Sequence, residues 1–220
     1  MSELARTELE IAHGKKICGK AEHIWGWGTR AGKRRAKRRA DFLIEFGAID
    51  KGEKVLEIGC GTGIFTEKIA ATGADIADIE NMDFEDNSFD SVVGSSILHH
   101  LNVEPALLEI RRLLKKEGRI AFTEPNMMNA QIAMERKIKP IGKMLYNSPG
   151  ETAFFRWSVK KLLKKLGFEK IVIKPFDFLH PLTPDFLITV VNKIGLGVEK
   201  IPIIKEIGGS LLITAEMLRA

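Results

Sequence analysis

The chain has 220 residues and a formal net charge of +5; 45% of its residues are hydrophobic and 29% are charged. This composition is typical of one globular domain with a sizeable core and excludes a disordered chain. No apolar run approaches the roughly 18 residues that a membrane-spanning helix needs. Two cysteines and five scattered histidines predict neither a disulfide framework nor a metal site, and they favour a cytoplasmic protein.

The amino-terminal segment, residues 1–50, concentrates the positive charge. Six cations fall within residues 33–39, where small and apolar residues from Ala31 onward recur at helical spacing. A basic helix of this kind is usually a solvated face, but it could also bind RNA, an anionic membrane or a phosphorylated substrate. The glycine-broken segment 25–29 precedes it. We predict a lid followed by the basic helix.

Residues 51–124 alternate between strand and helix patterns. The predicted elements are strands at 54–58, 91–95 and 119–124 and helices at 64–72 and 105–116. The second helix is expected to begin near Pro105, to place Leu114 on its apolar face and to end at Gly118. Such alternation predicts an α/β fold with a Rossmann-like, doubly wound and mostly parallel sheet.

The remaining residues divide into two parts. Residues 125–157 interrupt the alternation and are rich in methionine, so we predict a helical cap insertion. Residues 158–220 resume the pattern and are expected to complete the sheet domain. Their predicted elements are a helix at 158–166, strands at 170–174 and 210–216, and a long apolar insertion at 176–209.

The most informative motif is a strand, a turn with three glycines and a helix at residues 55–70. Glycine allows tight turns and close approach to a ligand, and a helix amino terminus offers unpaired N–H groups. The Gly-x-Gly-x-Gly spacing differs from that of dinucleotide sites, which makes NAD binding a distant alternative. Three further motifs follow, Asp-Asn-Ser-Phe-Asp at 86–90, Leu-His-His-Leu at 98–101 and the helix-to-strand segment 109–120. Together they resemble class I S-adenosylmethionine-dependent methyltransferases of the ubiquinone and menaquinone biosynthesis branch.

The resemblance implies S-adenosylmethionine as cofactor. The residues that it assigns to the methionine, ribose and sulfonium regions are Glu57, Gly59, Cys60, Gly61, Gly63 and Ser95. Trp25, Trp27 and Arg30 are candidates to close over the cofactor or acceptor, because aromatic faces stabilise cations, although they could instead anchor the amino-terminal segment on the core. His100 or His99 is the candidate base for an acceptor that must lose a proton, with packing and capping as the alternative role.

Residues 73–90 are shorter than this resemblance implies. Sixteen residues separate Gly73 from Asp90, whereas a strand–helix–strand unit takes ~30, so one unit is expected to be missing. The first strand would then become a sheet edge. Glu80 lies 21 positions after Gly59, near the ~20-residue spacing of a ribose-binding acid. Asp78 is the candidate for the adenine, and both acids could instead be loop carboxylates.

The sequence therefore predicts an enzyme that transfers a methyl group to a small-molecule or lipid-like acceptor. A non-catalytic or impaired methyltransferase-fold protein is the first alternative, because of the short 73–90 region. An RNA-directed methyltransferase using the basic helix is the second. Peripheral membrane contact stays open.

Overall fold

A computed structural model of the chain describes residues 20–77, 84–138, 140, 142 and 152–217. Its helices are α1 (Ala21–Ile24), α2 (Arg30–Gly47), α3 (Ile64–Ala70), α4 (Val103–Leu113), α5 (Ala130–Lys137), α6 (Arg156–Lys165) and α7 (Ile188–Val198). Its strands are β1 (Lys54–Glu57), β2 (Asp75–Ala77), β3 (Phe89–Ser95), β4 (Leu114–Pro125), β5 (Phe168–Phe176) and β6 (Ser210–Met217). None of the described helices has the length and apolar character needed to cross a membrane.

The strands of the described residues form one six-stranded sheet in the order β2-β1-β3-β4-β6-β5. The first four are parallel to their neighbours, and β6 runs antiparallel between β4 and β5. Helices α2 and α3 cover one face, while α4 and α6 cover the other. This arrangement confirms the predicted Rossmann-like, doubly wound and mostly parallel sheet.

The short region after α3 still contributes a strand. Lys54, Val55 and Leu56 pair with Asp75, Ile76 and Ala77 in a parallel ladder. The expectation that β1 would become a sheet edge is therefore wrong, because β2 pairs with it. Among the described strands, β2 forms this edge of the sheet. The candidate residues Asp78 and Glu80 lie outside the described residues.

The predicted helix at 105–116 begins as expected, with Pro105 in its first turn, but its predicted end is wrong. The helix α4 begins at Val103 and ends at Leu113, and the next residue already belongs to β4. Leu114 is fully buried and pairs with Phe89 of β3, so sheet pairing outweighs the helical periodicity there. Gly118 consequently lies inside β4 and does not end the helix.

The basic helix turns part of its charge inward. Arg35 and Arg39 both reach the carboxylate of Asp177, each at 2.9 Å, and Arg38 makes a two-pronged contact with Glu199 at 2.7 and 2.5 Å. Asp177 and Glu199 both belong to the segment between β5 and β6. A fully solvated helix face, as expected from the sequence, is therefore wrong for three of the six cations.

Burial and pairing shift the ionisation of this cluster. Burial lowers the pKa of Arg39 to about 10, with the charge of Asp177 opposing the shift. Burial alone would raise the pKa of Asp177, but the charges and hydrogen bonds of Arg35 and Arg39 outweigh it and hold that pKa below its usual value. The ion pairs thus join the amino-terminal helix to the carboxy-terminal part of the sheet domain.

Candidate functional site

A cavity of about 430 Å³ opens at the carboxyl ends of β1, β3 and β4. In open α/β sheets this edge is where ligands bind, and small-molecule sites occupy roughly 300–1,000 Å³. The sequence-predicted site residues that line it are Trp25, Trp27, Gly59, Cys60, Gly61, Ser95, His99 and His100. Residues of α5 and the start of β6 complete the wall.

The glycine turn forms one side of the cavity. Gly59, Gly61 and Gly63 have φ values of +70°, +55° and +80°, a region that side chains other than glycine rarely adopt. A Cβ on Gly61 would point at the ring of Trp25, 3.7 Å from its Cζ3 atom. The backbone of Gly61 and the indole of Trp25 therefore face each other, and a side chain on Gly61 would occupy the space between them.

Gly59 also packs against the turn that follows β3. A Cβ on this residue would lie 2.5 Å from Cγ1 of Ile97, which is closer than real contacts allow. Gly63 begins α3, and nothing lies within 4 Å of the equivalent position. The two glycines share a left-handed backbone but differ in available space.

Replacing Gly59 with alanine is expected to distort the turn, because it combines backbone strain of about 1–2 kcal/mol with overpacking of about 1–3 kcal/mol. Thermal unfolding should reveal the loss of stability, and calorimetric titration with S-adenosylmethionine should show weaker binding. Gly63→Ala is the matched control, since it adds the strain without the clash with Ile97. Equal losses in the two variants would contradict the packing role of Gly59.

Glu57 lies directly beneath the turn and is 3% exposed. Its Oε2 atom makes no hydrogen bond of standard geometry among the described residues, and burial raises the pKa of this carboxyl group, with the nearby hydroxyl of Thr66 opposing the shift. An unpartnered buried oxygen is costly, and a cationic ligand group would remove that cost. Glu57 does not itself line the cavity, so it would act from below the glycine turn.

Two polar strand ends meet on the wall next to the turn. The Oγ atom of Ser95 lies 2.8 Å from Oγ1 of Thr123, at the neighbouring ends of β3 and β4. Both residues are buried, and Ser95 reaches the cavity. The hydrogen bond fixes the Ser95 hydroxyl where the sequence placed the sulfonium region.

Glu124 organises the turn that carries the two histidines. Its Oε1 atom accepts hydrogen bonds from the backbone N–H groups of Ile97 and Leu98 at 2.9 and 2.8 Å, and its Oε2 lies 2.7 Å from Nδ1 of His99. The carboxylate is completely buried and His99 is 4% exposed. Glu124 was not among the sequence-predicted site residues, although a carboxylate near the end of an apolar strand was a usable signal.

Trp27 is held from two sides. Its ring meets Phe65 edge to face at 5.9 Å between centroids, and the guanidinium carbons of Arg35 and Arg39 lie 5.4 Å from its ring centroid. Both arginines also line the cavity, which the sequence analysis did not anticipate. The two alternative roles of Trp27 are therefore compatible, because the same indole packs on the core and lines the cavity.

Arg30 lies away from this group. It is largely exposed and pairs with Asp185 at 3.4 Å, and it is not among the cavity-lining residues. Gly63 likewise contributes through the start of α3 and not through the cavity wall. The structure therefore brings together most of the predicted site but not Arg30.

The sequence is similar to a methyltransferase family model and to proteins named as methyltransferases. A family model described as a methyltransferase domain matches residues 74–122. An uncharacterized methyltransferase-like protein of Schizosaccharomyces pombe is 26% identical over 177 residues, covering 69% of this chain and 68% of that protein. The demethylmenaquinone methyltransferase of Corynebacterium urealyticum is 31% identical over 118 residues, which cover 43% of this chain and 48% of the enzyme.

A solved structure supports the fold over the whole length. The 1,6-didemethyltoxoflavin-N1-methyltransferase of Burkholderia thailandensis superimposes with a TM-score of 0.62 at 12% sequence identity. The superposition covers 100% of this chain and 92% of that one. At this level of identity the similarity concerns the fold.

Proposed function

We propose that this chain acts as a class I S-adenosylmethionine-dependent methyltransferase on a small-molecule or lipid-like acceptor. The bound cofactor supplies an electrophilic methyl group on a sulfonium centre. The observation that carries the proposal is the cavity where the glycine turn, Ser95 and the histidine turn converge. Two similar proteins act, by their names, on demethylmenaquinone and on 1,6-didemethyltoxoflavin.

The residues present fit the cofactor. Gly59 and Gly61 offer backbone without side chains beside the slot under Trp25, and the unpartnered oxygen of Glu57 favours a cationic group above it. Ser95 would lie near the reacting methyl group. These residues bind, orient and exclude water, which is the main requirement for aligning a nucleophile with a sulfonium.

His99 is the better of the two candidate bases. In its neutral form the ring donates its Nδ1 proton to Glu124, so that Nε2 carries the lone pair able to accept a proton from the acceptor. A carboxylate that holds one ring nitrogen also stabilises the imidazolium formed afterwards. His100 contacts the His99 ring, with 4.1 Å between centroids, and lines the same wall.

Calorimetric titration with S-adenosylmethionine tests the proposal. Because burial raises the pKa of Glu57 and a cation favours the ionised form, affinity should weaken as pH falls through that pKa, by about tenfold per pH unit for one linked proton. Glu57→Gln should bind more weakly and lose this pH dependence. Glu67→Gln, an exposed neighbour on α3, is the control and should behave like the parent.

One result would count against this function, and a second would remove only Glu57 from the proposed cofactor site. Absence of heat and of any thermal shift at millimolar cofactor would favour the non-catalytic alternative. An unchanged pH dependence in Glu57→Gln would remove Glu57 from the cofactor site while leaving the enzyme proposal intact. The RNA-directed alternative receives less support, because Arg35, Arg38 and Arg39 are engaged in ion pairs within the protein.

A further inference from the structure

The segment between β5 and β6 presents an unusual amount of apolar surface. Five large aliphatic or aromatic side chains within it are more than half exposed. They are Leu182 (75%), Phe186 (81%), Val190 (53%), Ile194 (61%) and Ile203 (84%), and we refer to them as the apolar face. Single exposed apolar residues are ordinary, whereas five within one segment are a concentration of exposed apolar side chains that suits an interaction site.

Helix α7 explains why these side chains remain outside. Its buried side contains Ile188 and Gly195, and Gly195 packs closely on Phe178. Val190 and Ile194 are four residues apart on the opposite side of the helix, and Phe186 lies in the 3-10 turn directly before it. The helix is therefore packed on the domain through one side and offers the other to a partner.

The charges of this segment that remain without an ion pair among the described residues are cationic. The three acids of residues 178–209 are each paired with an arginine from another segment, in the pairs Asp185–Arg30, Glu199–Arg38 and Glu206–Arg156. The three lysines of the same segment are Lys193, Lys200 and Lys205, and within the described residues none of them makes an ion pair. The segment thus combines apolar side chains with unneutralised positive charge.

We propose that the apolar face docks this protein on the surface of an anionic lipid bilayer. Phe186 and Ile203 protrude almost fully into solvent, which suits insertion into a deformable apolar phase better than a shape-matched groove. Lysine is depleted from the cores of protein interfaces. At a bilayer, by contrast, lysine stems lie along the apolar boundary while their charges meet anionic headgroups.

The same segment contacts α5, which lines part of the cavity. Asn129, at the start of α5, donates a hydrogen bond from Nδ2 to the carbonyl of Ile207 at 2.9 Å, and Gln131 lies 3.4 Å from Nε2 of His180. Ile132 and Glu135, on the next turn of α5, line the cavity. Docking through the apolar face would therefore bring the cavity rim near the bilayer, where a lipid-like acceptor resides.

Vesicle flotation of the full chain tests the docking independently of methyl transfer. The probes are phosphatidylcholine vesicles with and without phosphatidylglycerol. The parent should bind the anionic vesicles, and added salt should weaken this binding. The double variant F186S/I203S should bind these vesicles at least about tenfold more weakly, since two large apolar side chains no longer enter the bilayer.

Leu108→Ser is the matched control, because Leu108 is 46% exposed on α4, outside the apolar face. It should bind vesicles like the parent, and circular dichroism should show all variants folded. Equal binding to neutral and anionic vesicles, or no binding to either, would overturn the proposal. A dimer that light scattering detects in the parent and not in F186S/I203S would assign the apolar face to a second copy and would also overturn it.

Discussion

Replacing Asp177 with asparagine is expected to lower the free energy of unfolding by about 3–5 kcal/mol, the usual cost of removing one partner of a buried ion pair. The guanidinium of Arg39 is 3% exposed and has hydrogen bonds from Nη2 to Asp177 and to Ser210. Its Nε and Nη1 atoms have no hydrogen-bond partner among the described residues. Without the carboxylate, a buried cation would lose its compensating charge. Urea denaturation of both proteins measures the difference.

Asp185→Asn is the matched control for this result. It removes a carboxylate that also pairs with an arginine of α2, but that pair is exposed and 3.4 Å long. Exposed ion pairs contribute about 0–1 kcal/mol. A loss for Asp177→Asn no larger than for Asp185→Asn would show that the buried cluster does not hold the amino-terminal helix on the domain.

The same cluster predicts how stability changes in acid. The folded-state pKa of Asp177 lies below its unfolded value of about 3.8, so its ionised form stabilises the fold above that pH. This contribution is lost as pH falls toward the folded-state pKa. The difference in stability between the parent and Asp177→Asn should therefore shrink below about pH 4.

Replacing Glu124 with alanine is expected to cost about 3–5 kcal/mol, because three buried donors lose their acceptor at about 1–3 kcal/mol each before relaxation. The donors are the backbone N–H groups of Ile97 and Leu98 and the Nδ1–H of His99. The change should also loosen the turn between Gly59 and the histidines. Denaturation and cofactor titration together measure both effects.

Glu124→Gln separates structure from chemistry. Its amide oxygen can still accept from Ile97 and Leu98, so most of the stability should return. Its amide N–H would face Nδ1 of His99 and favour the tautomer with the proton on Nε2, which cannot accept another proton. We expect a stable protein with weakened methyl transfer and an altered pH profile. Parent-like activity in this variant would show that His99 is not the base.

Local sequence patterns were sufficient where neighbouring residues decide the structure. The glycine turn could be predicted because three glycines stand between a strand pattern and a helix pattern in the sequence. In the structure Gly59, Gly61 and Gly63 all have the positive φ values that glycine allows. The alternation of periods likewise predicted the parallel sheet. Leu114 shows the limit of this reasoning, because its helical spacing was genuine but its pairing with Phe89 drew it into β4.

The sequence by itself determined the fold class, the glycine turn and about a third of the cavity-lining residues, since these depend on backbone preferences and short-range periodicity. Only the tertiary structure decided the inward direction of Arg35 and Arg39, whose partner Asp177 lies 142 and 138 residues further along the chain. It alone also revealed the exposure of Phe186 and Ile203. Charge and hydrophobicity are visible in a sequence, but which of them is buried depends on what packs against them.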